Sequence, residues 1–421
     1  MLLIYNIIFP IVFLLFLPGM IIKLINRPGY KKTYWERFAI FAKSKKEKLK
    51  NLTNPIWIHS VSVGETMIAV ALIEKWQAEG CEKDIVLSTT TTTGQQLARD
   101  KNLDGVTIIY CPIDFILFVR KTIKLINPSI LVIFETEIWP NLINEIYKLN
   151  KKIFLVNARM SDNSVKGYRK FKKFFKPLLK KIDTICVQTE HDKERFLSIE
   201  DSLNITVAGN MKFDQEVPSN LKEISFNNLF DPNSIFILAA STHPNEEELI
   251  AKTYLKLKQK YDNLKLIICP RHAERGNEIE EMLQKLNILY HRRTSKNDEK
   301  IVDCLLADTT GEMLSFINQS DIVIMGKSLA GHDEGHNLIE PALLAKPIIT
   351  GSVLRNFRVV LNILKEEDAL MLIDDDSKLE NGLDALISDA ETRKTVGEKA
   401  KQALEKHKGA TMKIINILKP N

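Results

Sequence analysis

With 421 residues, 45% of them hydrophobic and 27% charged, the chain has the composition of an ordinary globular protein and enough material for two domains. Its five cysteines (Cys81, Cys111, Cys186, Cys269, Cys304) are scattered, with no Cys-x-x-Cys pair and no zinc spacing, so a disulfide framework is excluded and reduced core thiols of a cytosolic domain are expected. The net charge of +6 is modest but uneven, with dense basic runs over residues 23–50 and from Lys166 to Lys181.

The first element in chain order is apolar. Leu2 to Ile22 is broken only by Asn6, Pro10, Pro18 and Gly19, a length that suits one bilayer crossing. No small-x-small cleavage site follows, and the basic residues come after the run, so a signal peptide fits poorly. The positive-inside rule then puts residues 23 onward in the cytoplasm. A kinked helix lying in the interface is the other option. Either way a membrane lipid surface is an expected partner. Residues 1–25 are taken as the anchor.

Short apolar runs then alternate with helical patterns. Strands are expected at 55–59, 84–88, 106–110, 130–134, 153–157 and 184–188. Helices are expected at 64–78, 94–100, 115–126 and 140–149. The pattern pauses from Asp214 to Pro232, a linker rich in Asn, Ser and Pro. It restarts with strands at 235–239, 264–269, 301–307, 321–325 and 347–350, and with helices at 245–260, 273–286 and 389–408. The result is an α/β chain of two Rossmann-like domains, residues 26–217 and 218–421, with a cleft between them.

In open α/β sheets, ligands collect at the carboxyl ends of strands. The first expected strand runs into Ser60-Val61-Ser62-Val63-Gly64-Glu65, which puts Glu65 at a helix opening. A carboxylate there can take a proton from an acceptor hydroxyl, or simply favour the helix dipole. The strand at 130–134 ends in Glu135-Thr136-Glu137-Ile138-Trp139-Pro140-Asn141. One of its two acids could pair with a cation or orient the acceptor. The other could cap the helix, and Glu137 suits that better. Arg159, in Asn157-Ala158-Arg159-Met160-Ser161, could meet an anionic acceptor or pair with an acid near Glu135. Lys212, in Gly209-Asn210-Met211-Lys212-Phe213-Asp214, could balance phosphate or carboxylate charge.

In the second half, Ser241-Thr242-His243 and Pro270-Arg271-His272 follow strands. Arg271 is placed for a nucleotide phosphate or base. The Thr309-Thr310-Gly311-Glu312-Met313 turn offers backbone amides. Gly335-His336-Asn337-Leu338-Ile339-Glu340-Pro341 is a loop-to-helix junction suited to an anionic group, with Glu340 on the first turn facing sugar hydroxyls. The run from Lys166 to Lys181 carries Phe171, Phe174 and Phe175, an aromatic-basic helical face that could meet anionic lipid. No nucleic-acid partner is expected, because the basic residues cluster near the apolar end and no binding module is visible.

Together these motifs, in order from about residue 57 to 358, resemble the 3-deoxy-D-manno-octulosonic acid (Kdo) transferases of lipopolysaccharide (lipid A) biosynthesis. The resemblance implies a glycosyltransferase of the GT-B fold at the cytoplasmic face of the cell inner membrane. It implies CMP-Kdo as donor substrate, a tetraacylated lipid A precursor (lipid IVA) as acceptor, and no cofactor or metal. Glu65 would be the general base, with Glu135 and Lys212 as charge-stabilising partners. Pro270, Arg271, Gly311, Glu312, Met313, Asn337, Leu338, Ile339 and Glu340 would hold CMP. Glu137, Arg159 and Ser241 would contact substrate, with Glu137 competing with Glu135.

The donor half departs from the family pattern. Gly326-Lys327-Ser328 stands where Gly-Gly-Ser is usual. Glu334 precedes Gly335 in place of a second glycine, and Ser352-Val353-Leu354 replaces a Pro-His-Thr segment. Another GT-B enzyme using a UDP-sugar, or a non-catalytic membrane-bound nucleotide-binding protein, are the other readings.

Overall fold

The computed structural model describes residues 1–26, 33–218, 221, 223, 224, 226, 229–295 and 301–419, with backbone alone for 16–18 and 20–26. Parts of the basic run at 23–50 and of the linker therefore lie outside the described residues. Two compact units are present: Met1–Gln215 with Lys408–Asn421, and Glu216–His407.

In chain order the first unit holds α1 (Leu2–Asn26), α2 (Lys43–Asn51), β1 (Ile56–Ser60), α3 (Val63–Ala78), β2 (Ile85–Thr89), α4 (Thr92–Asp100), β3 (Val106–Tyr110) and α5 (Ile116–Ile126). It continues through β4 (Ile130–Phe134), α6 (Pro140–Lys148), β5 (Lys152–Ala158), α7 (Asp162–Lys170), α8 (Lys172–Leu179), β6 (Thr184–Val187), α9 (Glu190–Leu197) and β7 (Ile205–Val207). The strands form one parallel sheet in the order β3-β2-β1-β4-β5-β6-β7. Such sheets are covered on both faces, which explains the near-continuous apolar strands. Trp57, Leu131, Ile133 and Leu155 enter one core, and Ile56, Ile58, Val132 and Phe134 the other.

The second unit holds β8 (Ile235–Thr242), α10 (Glu246–Lys258), β9 (Leu264–Pro270), α11 (Gly276–Lys285), β10 (Tyr290–Arg292), β11 (Cys304–Leu306) and α12 (Met313–Gln319). There follow β12 (Ile322–Met325), α13 (Ile339–Leu343), β13 (Ile348–Gly351), α14 (Arg358–Glu366), β14 (Met371–Ile373), α15 (Leu379–Ser388) and α16 (Ala390–Glu405). Its parallel sheet runs β10-β11-β9-β8-β12-β13-β14. The chain then returns to the first unit as α17 (Ala410–Leu418), whose Ala410, Ile414, Ile415 and Leu418 are buried against that core. Burying each of the three large side chains is worth about 1.5–3 kcal/mol. Asp214 fastens this return by accepting from the amides of Gly409 and Thr411.

Three expectations change. Residues 273–286 are a 3₁₀ turn, Ala273–Arg275, followed by α11, because the Arg275 amide closes on the His272 carbonyl. The basic run from Lys166 to Lys181 is two helices meeting at Phe171 instead of one face. Its Phe174 turns inward onto Tyr5, and Lys176 pairs with Glu200, while Phe171 stays 56% exposed. The expected anchor is helical, but no helix among the described residues is long and apolar enough to cross a membrane. Instead, α1 is tied to the unit behind it. The Tyr5 hydroxyl donates to Asp114 (2.9 Å), and Asn6 accepts from the Asn141 amide (2.7 Å). Its Leu3, Ile4, Ile7, Ile8, Ile11, Leu14 and Leu15 remain exposed.

Candidate functional site

The order of the first sheet reverses between β1 and β4, the switch point at which α/β sheets collect ligands. The carboxyl ends of these two strands carry the expected acids. After β1, Ser62 is the N-cap of α3, and Ser62 and Glu65 form a complete capping box. Glu65 is 6% exposed. Its Oε1 accepts from the Ser62 hydroxyl (2.7 Å) and amide (3.3 Å), and its Oε2 from the Val61 amide (2.8 Å). Burial pushes its pKa up, and the Glu135 charge adds to this against the hydrogen bonds. Oε2 keeps a lone pair that none of these donors takes. Capping and proton acceptance are thus compatible in one side chain.

After β4, Glu135 adopts the left-handed conformation (φ 54°). This turns its carboxylate onto two cations: Oε2 takes Arg159 Nε at 3.2 Å, and Oε1 lies 3.6 Å from Lys212 Nζ. The acid-to-base pairing expected for Arg159 is therefore present. Lys212 reaches this point because Asn210 caps its turn and α17 clasps Asp214. Asn157, also left-handed at φ 52°, anchors the same turn by accepting from the Met211 amide (3.1 Å).

Glu137 does not cap α6. That role belongs to Asp114, which accepts from the amides of Asn141 (2.9 Å) and Leu142 (3.0 Å). Burial raises the Asp114 pKa to about 6. Glu137 is pushed up to about 7, by burial first and then by the Glu65 and Glu135 charges. Three carboxylates so placed cannot all be charged cheaply, and Glu137 holds a proton near neutrality. Glu65, Glu135, Glu137, Arg159 and Lys212 are thus gathered in one place.

In the second sheet the order reverses between β8 and β12. Ser241, near the end of β8, is left-handed (φ 55°), and its carbonyl lies against Gly326, where any side chain would collide with it. The fully buried Glu246 knits the two strand ends together. It accepts from the amides of His243 (2.9 Å), Lys327 (2.7 Å), Ser328 (2.9 Å) and Leu329 (3.0 Å). Pro270 closes β9. The Arg271 amide donates to the Thr242 carbonyl (3.0 Å), while its side chain is exposed and meets no carboxylate in an ion pair among the described residues.

Glu340 sits on the first turn of α13 as expected. Burial raises its pKa, opposed by the Asn337 amide at 3.2 Å and by the Arg271 charge. The helix has only five residues, so its dipole is short. Asn337 also accepts from the Ile339 amide (3.1 Å), and Leu338 and Ile339 are buried. Their side chains are core, leaving backbone as what they can offer a ligand. Gly311 is left-handed (φ 87°), and Glu312 is held by Arg293 at 2.8 Å, so this turn too offers backbone, next to Met313 at the start of α12. Among the described residues no group of three or more His, Cys, Asp or Glu is arranged to hold a metal.

Sequence reasoning did not find Asp114 or the structural role of Glu246. For the latter a signal existed: Asn245 and three glutamates open a helix after a strand.

Comparison with known proteins follows the same lines. A family model described as 3-deoxy-D-manno-octulosonic-acid transferase (kdotransferase) matches residues 32–215. The 3-deoxy-D-manno-octulosonic acid transferase of Haemophilus influenzae is 30% identical over 94% of this chain and 93% of its own length. That of Rickettsia felis is 33% identical over 75% of this chain and 68% of its own. Among solved structures, UDP-GlcNAc 2-epimerase from Neisseria meningitidis bound to UDP-GlcNAc superposes with a TM-score of 0.59. It covers 86% of this chain and 99% of the epimerase at 13% identity, a likeness of fold alone.

Proposed function

Because this chain belongs to the Kdo transferases and is a glycosyltransferase, we propose that it moves Kdo from CMP-Kdo to the tetraacylated lipid A precursor, lipid IVA. The observation that carries the reading is the group of Glu65, Glu135 and Lys212 at the switch point of the first sheet. An acceptor hydroxyl oxygen attacks the anomeric carbon of Kdo. The bond from that carbon to the phosphate oxygen breaks, and CMP leaves with the electron pair. The hydroxyl proton passes to Glu65, whose pKa burial raises, which makes the carboxylate a stronger base. Positive charge develops on the sugar as the bond breaks, so preorganised charge and positioning dominate. Lys212 and Arg159 pair with Glu135 and fix its carboxylate beside the reacting hydroxyl. Glu137, protonated for much of the time, donates a hydrogen bond to the acceptor.

On the donor side, Arg271 meets the single phosphate of CMP. Pro270, the turn from Gly311 to Met313, and the segment from Asn337 to Ile339 line the nucleotide with backbone, Glu340 takes a sugar hydroxyl, and Ser241 borders the sugar. A monophosphate needs little charge compensation, and the site acids, Glu65 after β1 and Glu135 and Glu137 after β4, include no Asp-x-Asp pair. We therefore infer metal-independent transfer. Incubation with CMP-Kdo and lipid IVA, read by mass spectrometry, should show the mass of added Kdo, and the rate should be unchanged in EDTA. No product would contradict the reading. Loss of activity on chelation, restored by magnesium, would overturn metal independence.

The protein works, in this reading, at the cytoplasmic face of the inner membrane, with α1 lying in the interface. The exposed Ile4, Ile7, Ile8, Ile11 and Leu15 supply the apolar side, and the basic runs supply attraction to anionic lipid. Replacing Ile7, Ile11 and Leu15 together by serine should weaken binding to anionic vesicles at least about tenfold, since each buried aliphatic side chain is worth about 1.5–3 kcal/mol. Tyr5 and Asn6 are untouched, so melting should be unaltered. Equal vesicle sedimentation by the two proteins would rule the helix out as the lipid contact.

A further inference from the structure

Four of the eight histidines, from three separate segments, meet at the switch point of the second sheet. His243 follows β8, His272 follows β9, and His332 and His336 lie in the loop after β12. The His243 and His336 Nε2 atoms face each other at 3.0 Å with rings nearly parallel. One nitrogen must donate to the other, so the pair shares a proton between two neutral rings. Burial holds both pKa values down at about 4, and the nearby cations Lys327, Arg271 and Arg275 press the same way.

The backbone of Lys327 is unusual. It is left-handed (φ 60°), a conformation that favours glycine. It is locked there from both sides: its amide donates to Glu246 (2.7 Å), and its carbonyl accepts from Gly335 (2.7 Å). A lysine where glycine is conformationally easier, carried into a histidine cluster, points to a use for its charge. The carboxylates in reach do not cancel the cluster. Among the described residues, Glu246 is buried on backbone amides, Arg275 holds Glu247, Lys327 meets the part-exposed Glu334 at 3.4 Å, and the exposed Glu274 lies 3.5 Å from His272 at the outer edge. A cation surplus beside two facing imidazoles suits an anion and repels a metal ion.

We propose that Lys327 and the His243–His336 pair form a recess for a carboxylate carried by the donor sugar, so that this chain selects an acidic sugar nucleotide over a neutral one. The recess deepens the donor reading above and rests on it. It stands at the strand ends next to Arg271, and it handles the sugar's charge separately from the nucleotide's.

The test compares donor KM and kcat with CMP affinity by calorimetry, for Lys327→Gly, His243→Gln and Glu334→Gln. Lys327→Gly relieves the backbone and should fold at least as well as the parent. It should raise the CMP-Kdo KM about tenfold, the scale of one charge-assisted hydrogen bond, and leave CMP affinity unchanged. His243→Gln should act in the same direction. A CMP-sugar with the carboxylate replaced by carboxamide should bind the parent and Lys327→Gly equally weakly. Glu334→Gln, which frees the lysine, should leave the KM unchanged or lower it. A Lys327→Gly enzyme with parental KM would overturn the recess. So would a Glu334→Gln enzyme that copies Lys327→Gly, since Lys327 would then be a strut. Failure of the parent protein to bind CMP would sink the donor reading, and the recess with it.

Discussion

Glu65→Gln should lower kcat at least about a hundredfold, the usual scale for loss of a general base, while CMP affinity stays at the parental value. The substitution preserves shape but not hydrogen bonding. The carboxylate accepts from the Val61 amide, the Ser62 amide and the Ser62 hydroxyl with both oxygens. A glutamine has one acceptor oxygen, and its NH₂ would face a backbone donor. A loss of about 1–2 kcal/mol of stability should accompany the loss of turnover. The two effects are separated by Ser62→Ala. That variant removes the cap hydroxyl at a cost of about 1 kcal/mol and leaves the carboxylate, so it should melt earlier and still turn over. Rates within tenfold of the parent for Glu65→Gln would exclude Glu65 as the base. Equal rate losses in both variants would mean that the cap, not the proton, is what matters there.

Arg271→Ala should weaken CMP binding by about 1.5–3 kcal/mol, or roughly tenfold to a hundredfold, if the guanidinium holds the phosphate directly. Its side chain is exposed and forms no ion pair among the described residues, so the melting temperature should scarcely move. The Arg271 charge also opposes the upward push that burial gives Glu340. Without it, Glu340 should hold a proton to higher pH, and any residual donor binding should shift its pH dependence the same way. Unchanged CMP affinity in calorimetry would show that the phosphate sits elsewhere.

What could be read from the sequence was what neighbours along the chain decide. The strands from Ile56 to Phe134 are legible because a parallel sheet covered on both faces demands apolar runs. The Ser62–Glu65 box is legible because its partners lie three residues apart. The left-handed Asn127 closing α5 is likewise a local signal. Edge strands were harder to see. Ile205–Val207 is only partly buried and carries no apolar run to mark it. The acid and base motifs at strand ends could be named, but not their partners.

The tertiary structure alone decided which acid does what. Glu135, not Glu137, takes Arg159 and Lys212, because a left-handed turn after β4 aims it at residues 24 and 77 positions away along the chain. Glu137 lost its capping role to Asp114, which arrives from the loop after β3 and also receives Tyr5 from α1. That same contact, with the packing of Tyr5 on Phe174, docks the apolar first helix on the unit behind it. The return of α17 to the first sheet and the meeting of His243 with His336 are of the same kind. Hydrophobic period and capping reach about four residues. A side chain's charged partner is set by which strand ends the sheet order brings side by side, and no pattern within either segment records that order.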